Sequence, residues 1–428
     1  MAPPIIIVGA GAFGLSTALH LSQKVSPGEI LVLEQDTQMP PRSSAANDLN
    51  KIVRAEYEDP FYTDLTLKAI SAWSEGPFAG HFHQTGFLHC VSSKAPQPAI
   101  DTLNRFRASA DSHAAIHPHV VSLGHDDAAK PHLMGPYRGA MPGWHGYLNK
   151  LDGWCHSAKA LVAVYEAVRK AGVPVWLGAG VQELVYESAG STSKGAAGKK
   201  CTGVKLTSGG FLPARQVIVT AGAGVSPLLP ALNRQITAKA WSVAHIQLTP
   251  TEAAQLRGLP VTYARDLGFF FEPDTDDNLL KMCPMGGGIV NTDSATGVSR
   301  PDYEPFLPRE DQAKMRALLR QTFPDLADRP FVRPMLCWFA DTKDSDFIVD
   351  YVPGSEESVV VVSGDSGHGM KLFPLVGEWV VDLLGGKKVE RWAWKEQQEG
   401  EWKGESSWRL GSSMELRDLK KEGRGNKL

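Results

Sequence analysis

The stretch PIIIVGAGAFGLSTALHLS, Pro4 to Ser22, decides the fold. Its apolar run Ile5–Val8 predicts a buried strand, and the apolar positions after the glycines recur with helical spacing. Gly9, Gly11 and Gly14 form G-x-G-x-x-G between these two elements. The first glycine allows a tight turn, the second lets a pyrophosphate approach the backbone, and the third lets helix and strand pack closely. The stretch therefore predicts phosphates at a helix N-terminus, where free N–H groups attract anions.

A second predicted strand supplies the acidic residue that such a nucleotide site needs. EILVLEQD ends near Glu34, which lies twenty residues after Gly14. A carboxylate there can accept hydrogen bonds from ribose hydroxyls, and it would repel the extra phosphate of NADP. The alternative is a chance glycine turn that opens an ordinary βα unit. Motif, flanking elements and acidic residue together predict a site for NAD or FAD.

The chain returns to this nucleotide unit twice. QVIVTAGAG (216–224) and SVVVVSGDSGHGMKLFPLVGEWVVDLL (358–384) each predict an apolar strand that runs into a glycine turn. Such interleaving resembles the glutathione-reductase-like flavin enzymes more than an NAD dehydrogenase, in which one contiguous half binds the cofactor. We expect an α/β fold with a Rossmann-type FAD-binding domain made of residues 1–80, 151–235 and 334–395.

The segments between these returns have a different pattern. Stretches such as AHIQLTP (244–250) and LLKMCP (279–284) predict antiparallel strands. We therefore expect an interleaved α+β substrate domain, built on an antiparallel sheet that faces the flavin, from residues 81–150 and 236–333. Residues 396–428 are rich in Lys and Glu and predict a charged C-terminal tail.

Composition excludes several classes of function. A chain of 428 residues with 43% hydrophobic and 21% charged side chains is typical of a soluble protein with two domains. A net charge of −3 provides no field that would recruit nucleic acid, and no stretch is apolar enough for a bilayer. Five dispersed cysteines argue against disulfides and zinc and suit a reducing compartment. His81 and His83 have no third ligand nearby, so we expect no metal; we also expect a monomer.

Five motifs in order resemble one family of enzymes. They are VGAGAFGLSTALHL, AANDLNKIVR, FHQTGFL, CWFADTKDSDFIVD and SGDSGHGMKLFP, and they cover nearly the whole chain. The chain resembles the FAD-dependent amine oxidases related to monomeric sarcosine oxidase, including fructosyl amino acid, pipecolate and saccharopine oxidases. The resemblance implies FAD, an amino-acid amine and O2 as partners. It implies hydride transfer from the carbon next to nitrogen to flavin N5, an imine that hydrolyses, and formation of H2O2.

The resemblance implies a covalent cofactor. A cysteine in the position of Cys337 is bonded through sulfur to the 8-methyl carbon of the flavin in this family. Without the resemblance, a buried structural cysteine would be the simpler interpretation. Trp338 and Phe339 follow the tether and are candidates for the pocket wall. The other implied cofactor contacts are Ser43, Ser44, Lys51, Gly369 and Lys371.

Four cationic residues carry the implied chemistry. Arg54 and Lys371 lie in motifs that converge on the substrate carboxylate, where a guanidinium fork and an ammonium charge bind well. Lys281 in NLLKMCP matches the lysine that stabilises developing charge on oxygen. Lys51 resembles the cation beside the flavin ring. The alternatives are solvated surface charges for the carboxylate pair and an edge-strand lysine for Lys281; His368 either contacts the flavin edge or only packs.

Met285 separates two branches of the family. Fructosyl amino acid oxidases carry a glutamate four residues after the oxygen-site lysine, whereas a thioether does not accept hydrogen bonds from sugar hydroxyls as a carboxylate does. Arg54 also matches the sarcosine, pipecolate and saccharopine branch better. We therefore expect a secondary-amine amino acid as substrate. The alternatives are a fructosyl amino acid oxidase, a flavin dehydrogenase with another electron acceptor, a biosynthetic amine oxidase, and a binding protein that keeps FAD as a relic.

The final tripeptide is a candidate signal for the subcellular location of the protein. Asn426-Lys427-Leu428 resembles the Ser-Lys-Leu peroxisomal address but departs from its small first residue. We expect a peroxisomal location, with the cytoplasm as the alternative.

Overall fold

A six-stranded sheet carries the glycine motif. The computed structural model describes residues 4–124, 135–187, 198–395 and 411–423. In spatial order the strands are β20 (Ile348–Tyr351), β21 (Val359–Ser363), β13 (Gln216–Val219), β1 (Ile5–Val8), β2 (Ile30–Leu33) and β9 (Val175–Trp176). All neighbouring pairs are parallel except β20 with β21. The two later segments that the sequence predicted to rejoin this domain therefore do so: β13 pairs with β1, and β21 pairs with β13.

The continuous apolar run of β1 is explained by two cores. Ile5 and Ile7 belong to one buried cluster, whereas Ile6 and Val8 belong to another on the opposite face. Successive side chains of a strand point to opposite faces, so a sheet buried on both sides needs apolar residues at every position.

Three helices cover one face of this sheet. Helix α1 (Ala12–Leu21) packs against α4 (Ser157–Lys170) and α7 (Val376–Leu384). A Cβ on Gly14 would lie 1.9 Å from the carbonyl oxygen of Gly9, so only glycine lets α1 approach the turn this closely. The other α-helices of the described ranges are α2 (Pro60–Ala72), α3 (Gln97–Ser112), α5 (Pro250–Gln255), α6 (Arg309–Thr322) and α8 (Leu416–Gly423).

A ten-stranded sheet forms the second layer. In spatial order it contains β22 (Met414–Glu415), β18 (Ile289–Val290), β14 (Ile236–Gln247), β17 (Leu279–Pro284), β16 (Gly268–Phe270), β15 (Val261–Ala264), β5 (Phe87–Val91), β7 (His145–Asn149) and β6 (Val120–Leu123), with β19 (Phe331–Thr342) also paired to β14. The pairs β5 with β15 and β18 with β22 are parallel. The other pairs are antiparallel, as expected, so the sheet is mixed with mostly antiparallel neighbours.

Two small sheets complete the fold. One contains β10 (Val181–Tyr186), β11 (Cys201–Leu206) and β12 (Phe211–Pro213). The other contains β3 (Lys51–Val53), β8 (Gly153–Cys155) and β4 (Phe82–His83). The second small sheet fixes Lys51, because this residue pairs with Cys155 at the start of β3.

Two features differ from the sequence expectation. β19 begins before residue 334 and pairs with β14 in the large sheet, so the expected domain boundary falls inside a strand. Part of the expected C-terminal tail is folded: β22 pairs with β18, and Leu416 is buried. The Asn426-Lys427-Leu428 prediction lies outside the described residues. Of the helices in the described ranges, none has the length and apolar character needed to cross a membrane.

Candidate active site

One continuous cavity is lined by residues of both large sheets. It extends from the glycine turn after β1 to the aromatic side chains on β5, β15 and β16. All but one of the predicted site residues line it: Gly9, Gly11, Glu34, Ser43, Ser44, Lys51, Arg54, Lys281, Cys337, Gly369 and Lys371. Gly14 is the exception, and its close packing against Gly9 is the role that the motif predicts for it.

The glycine turn fits a dinucleotide. Gly9 has φ +108°, and a Cβ there would meet the carbonyl oxygen of Thr220 at 2.9 Å. A methyl group added at Gly11 would meet only Ser44 Oγ, at 3.6 Å, so this face of the turn is open to the cavity. Gly11 caps α1 without a side-chain hydrogen bond, which leaves N–H groups of the first helical turn for a phosphate.

Glu34 closes the nucleotide end of the cavity. Its Oε2 accepts a hydrogen bond from the Ala10 N–H at 2.8 Å, and its Oε1 accepts one from the Asp36 N–H at 2.9 Å. Burial raises the pKa of this carboxyl, and the backbone N–H groups oppose that shift. The carboxylate retains further lone pairs towards the cavity, so the residue fits the ribose-binding position.

A buried carboxylate links the three predicted residues of the flavin-ring region. Asp48 Oδ2 lies 2.6 Å from Lys281 Nζ and 2.8 Å from Lys51 Nζ. Lys51 Nζ also donates to Cys337 Sγ at 3.1 Å, and Lys281 Nζ donates to the Asn50 carbonyl at 2.5 Å. Only 2% of the Lys281 side chain is exposed, and β17 has partners on both sides, so the edge-strand alternative is excluded.

The opposite charges of this cluster shift the pKa values of their neighbours. Burial alone would raise the pKa of Asp48, but Lys281 and Lys51 hold it well below its usual range. Burial alone would lower the pKa of Lys51, but Asp48 and Cys337 raise it above its usual value. The cluster therefore keeps the Lys51 ammonium charged inside the protein, beside the cysteine sulfur.

A second network joins the two predicted carboxylate-binding residues. Arg54 lies 5.0 Å from the centroid of the Tyr57 ring, and Lys371 Nζ donates to Tyr57 Oη at 2.9 Å. Tyr57 Oη lies 2.9 Å from His368 Nδ1, and His368 Nε2 lies 2.9 Å from the Ser345 carbonyl. Because that carbonyl can only accept, His368 carries its proton on Nε2 and Tyr57 donates to Nδ1. The network fixes the orientation of both cations.

Sequence reasoning missed Asp48 and Tyr57. Both lie inside the AANDLNKIVR region and its continuation, where only the cations received roles. Asp48 lies three positions before Lys51 in the sequence, but its second partner, Lys281, lies 233 residues away. Residues that far apart form no local sequence pattern. The only sequence signal for Asp48 was therefore an acidic residue inside one of the family motifs.

Some of the remaining candidate residues line the cavity, whereas others only pack against neighbouring side chains. Trp338, Phe339, His368 and Met285 line the cavity. His83 does not; it stacks on Trp154 with ring centroids 4.2 Å apart. Burial lowers the pKa of His81 and of His83. These two histidines keep the structural interpretation that the sequence favoured.

Known proteins resemble this chain over most of its length. Residues 4–383 match the family model described as FAD dependent oxidoreductase. L-saccharopine oxidase of Schizosaccharomyces pombe is 30% identical over 97% of this chain and 97% of that protein. A probable sarcosine oxidase of Arabidopsis thaliana is 24% identical over 89% of this chain and 87% of its own. The crystal structure of fructosamine oxidase (Amadoriase II) from Aspergillus fumigatus superposes with a TM-score of 0.84 at 29% identity, covering 97% and 96% of the two chains.

Fold and cavity together define a dinucleotide-dependent oxidoreductase. The chain belongs to the FAD-dependent oxidoreductase family, and the resemblance read from its motifs is confirmed. It is therefore a flavin enzyme whose relatives include amino-acid oxidases.

Proposed function

We propose that the protein is an FAD-dependent oxidase of a secondary-amine amino acid of the saccharopine, pipecolate or sarcosine type. The observation that carries the proposal is the convergence of Arg54 and Lys371, from opposite ends of the chain, on one cavity through Tyr57. FAD bound here would accept a hydride from the carbon next to the substrate nitrogen and pass both electrons to O2, giving H2O2 and an imine that water hydrolyses. The six-stranded sheet would form its glutathione-reductase-like binding domain.

The residues at the substrate end orient the amine. Arg54 can offer two parallel donors to a carboxylate, and Lys371 adds a third from the other side of Tyr57. The cavity wall beside them consists of aromatic rings: Phe87, Tyr263, Phe269 and Phe271. This wall excludes water and holds the carbon skeleton, so binding of the carboxylate places the neighbouring C–H bond in a fixed position.

Lys281 is the proposed oxygen-site residue. Its ammonium lies 5.0 Å from the Phe271 ring and 2.6 Å from Asp48 Oδ2, so its position is fixed before oxygen arrives. A fixed positive charge that needs no reorganisation stabilises negative charge developing on oxygen. This function distinguishes an oxidase from a flavin dehydrogenase with another acceptor.

Cys337 is the proposed covalent tether. It lines the cavity on β19, and Lys51 Nζ donates to its sulfur at 3.1 Å, which holds the sulfur in a fixed position. Cys337 would hold the flavin through a thioether; its formation would replace the S–H bond and one C–H bond of the 8-methyl group by a C–S bond, and the two electrons and two protons released would go to O2.

The tether is tested by denaturation in acid. We expect flavin colour to stay with the precipitated wild-type chain and to be released from Cys337→Ser. Cys283→Ser, which alters another cysteine of the same cavity, is the matched control and should keep its colour. Free flavin from the acid-treated wild type would show that attachment does not occur.

The alternative is oxidation of fructosyl amino acids. The structural similarity to fructosamine oxidase favours it. Against it, Met285 lines the cavity where the fructosyl enzymes carry a glutamate, and a thioether offers sugar hydroxyls only a weak acceptor.

A peroxide-coupled assay of the purified protein separates these substrates. The panel is sarcosine, L-pipecolate, L-proline, saccharopine and fructosyl-lysine. We expect turnover with at least one of the first four and none with fructosyl-lysine. Turnover of fructosyl-lysine alone would replace the proposal by its alternative, and reduction of the flavin without peroxide would indicate a dehydrogenase.

A further inference from the structure

Two fully buried carboxyl groups lie close to Arg54 and have no part in the proposed chemistry. Glu56 follows Arg54 by two positions, and Asp152 lies between β7 and β8; both residues are 0% exposed. Asp152 Oδ1 accepts a hydrogen bond from the Ala55 N–H at 2.8 Å, so this side chain holds the backbone between Arg54 and Glu56. Burying a carboxyl oxygen without a hydrogen-bond donor costs free energy, so the other three oxygens need donors too.

Both oxygens of Glu56 are held by donors that carry no charge. Tyr147 Oη donates to Oε1 at 2.9 Å, and Asn149 Nδ2 donates to Oε2 at 2.9 Å. The Leu151 N–H donates to Asn149 Oδ1 at 3.1 Å, which fixes the amide so that its NH2 group faces Glu56. Glu56 is therefore an acceptor whose orientation is set by β7 and the residues that follow it.

The fourth oxygen shows where a proton is stored. Asp152 Oδ2 has no hydrogen-bond donor among the described residues, yet a hydrogen bond joins the carboxyl groups of Asp152 and Glu56. Two carboxylates can only accept, so this bond requires a proton on one of them. Burial, and then Glu56, raise the pKa of Asp152 well above its usual range, while the Ala55 N–H and Arg54 oppose this shift without cancelling it. Asp152 therefore carries the proton and donates it to Glu56.

The single negative charge of this pair acts on Arg54 without occupying its donors. Burial alone would lower the pKa of Arg54, but Tyr57 and Glu56 raise it. Because three neutral donors hold the oxygens of Glu56, its carboxylate does not close over the guanidinium. Arg54 therefore has a nearby counter-ion, and its fork of N–H groups stays available to a carboxylate in the cavity.

We propose that Asp152 is a positioning residue for Arg54: as a neutral acid it donates to Glu56 and keeps the Glu56 carboxylate from pairing with the guanidinium that binds the substrate. Without this donor, Glu56 would turn to Arg54, only two positions away, and form a direct ion pair. That ion pair would take up the N–H groups that the substrate carboxylate needs. The inference rests on the proposed function and adds two residues that control its carboxylate site.

Binding of a simple carboxylate to the holoenzyme tests the inference. Flavin absorbance is titrated with butyrate, and with butyramide as the uncharged reference. Asp152→Ala should weaken butyrate binding about tenfold or more, which is the effect of losing one charged contact, and should not change the binding of butyramide. Asp152→Asn should retain most of the affinity, because its NH2 group replaces the acid proton as the donor to Glu56. In turnover, Asp152→Ala should raise KM and change kcat much less.

A second substitution separates positioning from structural damage. In Asp152→Ala/Glu56→Gln no carboxylate remains to pair with Arg54, so butyrate affinity should recover towards the wild-type value. A purely structural role predicts instead that the second substitution adds to the loss. Asp311→Asn, which alters a buried carboxyl of α6 that is bound to Ser242, is the matched control and should bind butyrate like the wild type.

Infrared difference spectra test the proton itself. The spectrum of the wild type minus that of Asp152→Asn should contain the carbonyl stretch of a protonated carboxylic acid, which a carboxylate lacks. Absence of this band, an Asp152→Asn variant as weak as Asp152→Ala, or a double variant that does not recover would each overturn the inference. If Asp152→Ala does not fold, the infrared band and the butyrate affinity of Asp152→Asn decide.

The same titration separates this inference from the proposed function, because butyrate binding needs no turnover. If no amine is oxidised, the proposed function fails, but loss of butyrate affinity in Asp152→Ala and its recovery in the double variant still support the positioning role. If amines are oxidised and Asp152→Ala binds butyrate as the wild type does, only the inference about Asp152 fails.

Discussion

At the scale of single residues, the site depends on buried cations held by partners from distant parts of the chain. Asp48 serves two lysines at once, and Tyr57 connects Arg54 with Lys371. The sequence predicted the cations because they lie in motifs. It did not predict their partners, since a contact such as Lys281 with Asp48 joins residues that are 233 positions apart in the sequence.

Replacing Lys281 tests the oxygen site. In Lys281→Met we expect reoxidation of the reduced flavin by O2 to slow about 100-fold or more, the usual effect of losing a preorganised charge. Anaerobic reduction by the amine should change little, because Arg54 and Lys371 remain. Stopped-flow absorbance measures both half-reactions. Lys239→Met, on β14 and paired with Asp341, is the control, and an unchanged oxygen rate in Lys281→Met would contradict the assignment.

Lys371 should make substrate binding depend on pH. Burial, and then Arg54, hold its pKa well below the usual value of about 10.4. A bound carboxylate favours the ammonium form, so binding takes up a proton. KM should therefore rise with pH between the lowered pKa of the free enzyme and the higher pKa of the complex.

Lys371→Arg provides the comparison for this pH profile. Arginine stays charged over the whole range, so its KM should lack the contribution of Lys371. The measurement is KM against pH for one substrate in both proteins, which cancels titration of the amine itself. Identical profiles would show that Lys371 is not the titrating group.

At the scale of elements, local pattern determined the strands and helices but not their partners. The glycine motif, its strand and its helix lie where the sequence placed them. The sequence did not predict the mixed pairing of the large sheet or the position of β19 in it. The apolar pattern of a strand shows which face is buried, but it does not show which strand lies next to it. The sequence placed Cys337 in the segment 334–395 of the FAD-binding domain, whereas the strand that carries it pairs with β14 in the ten-stranded sheet.

Two glycines of the motif should respond differently to alanine. Gly14→Ala places a methyl group 1.9 Å from the Gly9 carbonyl, so α1 must move and we expect a loss of about 2 kcal/mol or more. Gly11→Ala meets only Ser44 Oγ at 3.6 Å and should leave the apoprotein stable while it weakens FAD binding. Thermal unfolding of the apoproteins and FAD titration, both in a Cys337→Ser background, measure the two effects. Equal stability of Gly14→Ala and Gly11→Ala would contradict a packing role for Gly14 and a cofactor-binding role for Gly11.

At the scale of the whole molecule, the C-terminal segment supports the site from outside. Leu416 is buried in a cluster with Trp338, and Lys420 Nζ lies 2.8 Å from Asp302 Oδ2. The Asp302 carbonyl accepts a hydrogen bond from Trp338 Nε1 at 2.7 Å. Trp338 follows Cys337, so the segment that the sequence treated as a tail contacts the neighbour of the proposed tether.

Removing this segment should weaken the whole fold. We expect deletion from Gly411 onward to expose the Trp338 cluster, lower stability by about 2 to 3 kcal/mol through the loss of Leu416 alone, and reduce the fraction of chains with acid-stable flavin. Urea unfolding and acid precipitation measure these effects. Leu416→Ala should reproduce the stability loss, whereas Lys421→Ala, which removes an exposed pair with Asp418, should not. A deletion variant with wild-type stability would contradict the supporting role.

The interleaved order of strands in the six-stranded sheet has a consequence for biogenesis. The cavity needs the turn after β1, strand β13 and the Gly369 to Lys371 region after β21, so its parts leave the ribosome at widely separated times. The amino-terminal βα unit must wait, with its apolar strand only partly covered, until the later strands arrive. We therefore expect the cofactor to bind only after the Gly369 to Lys371 region has been synthesised.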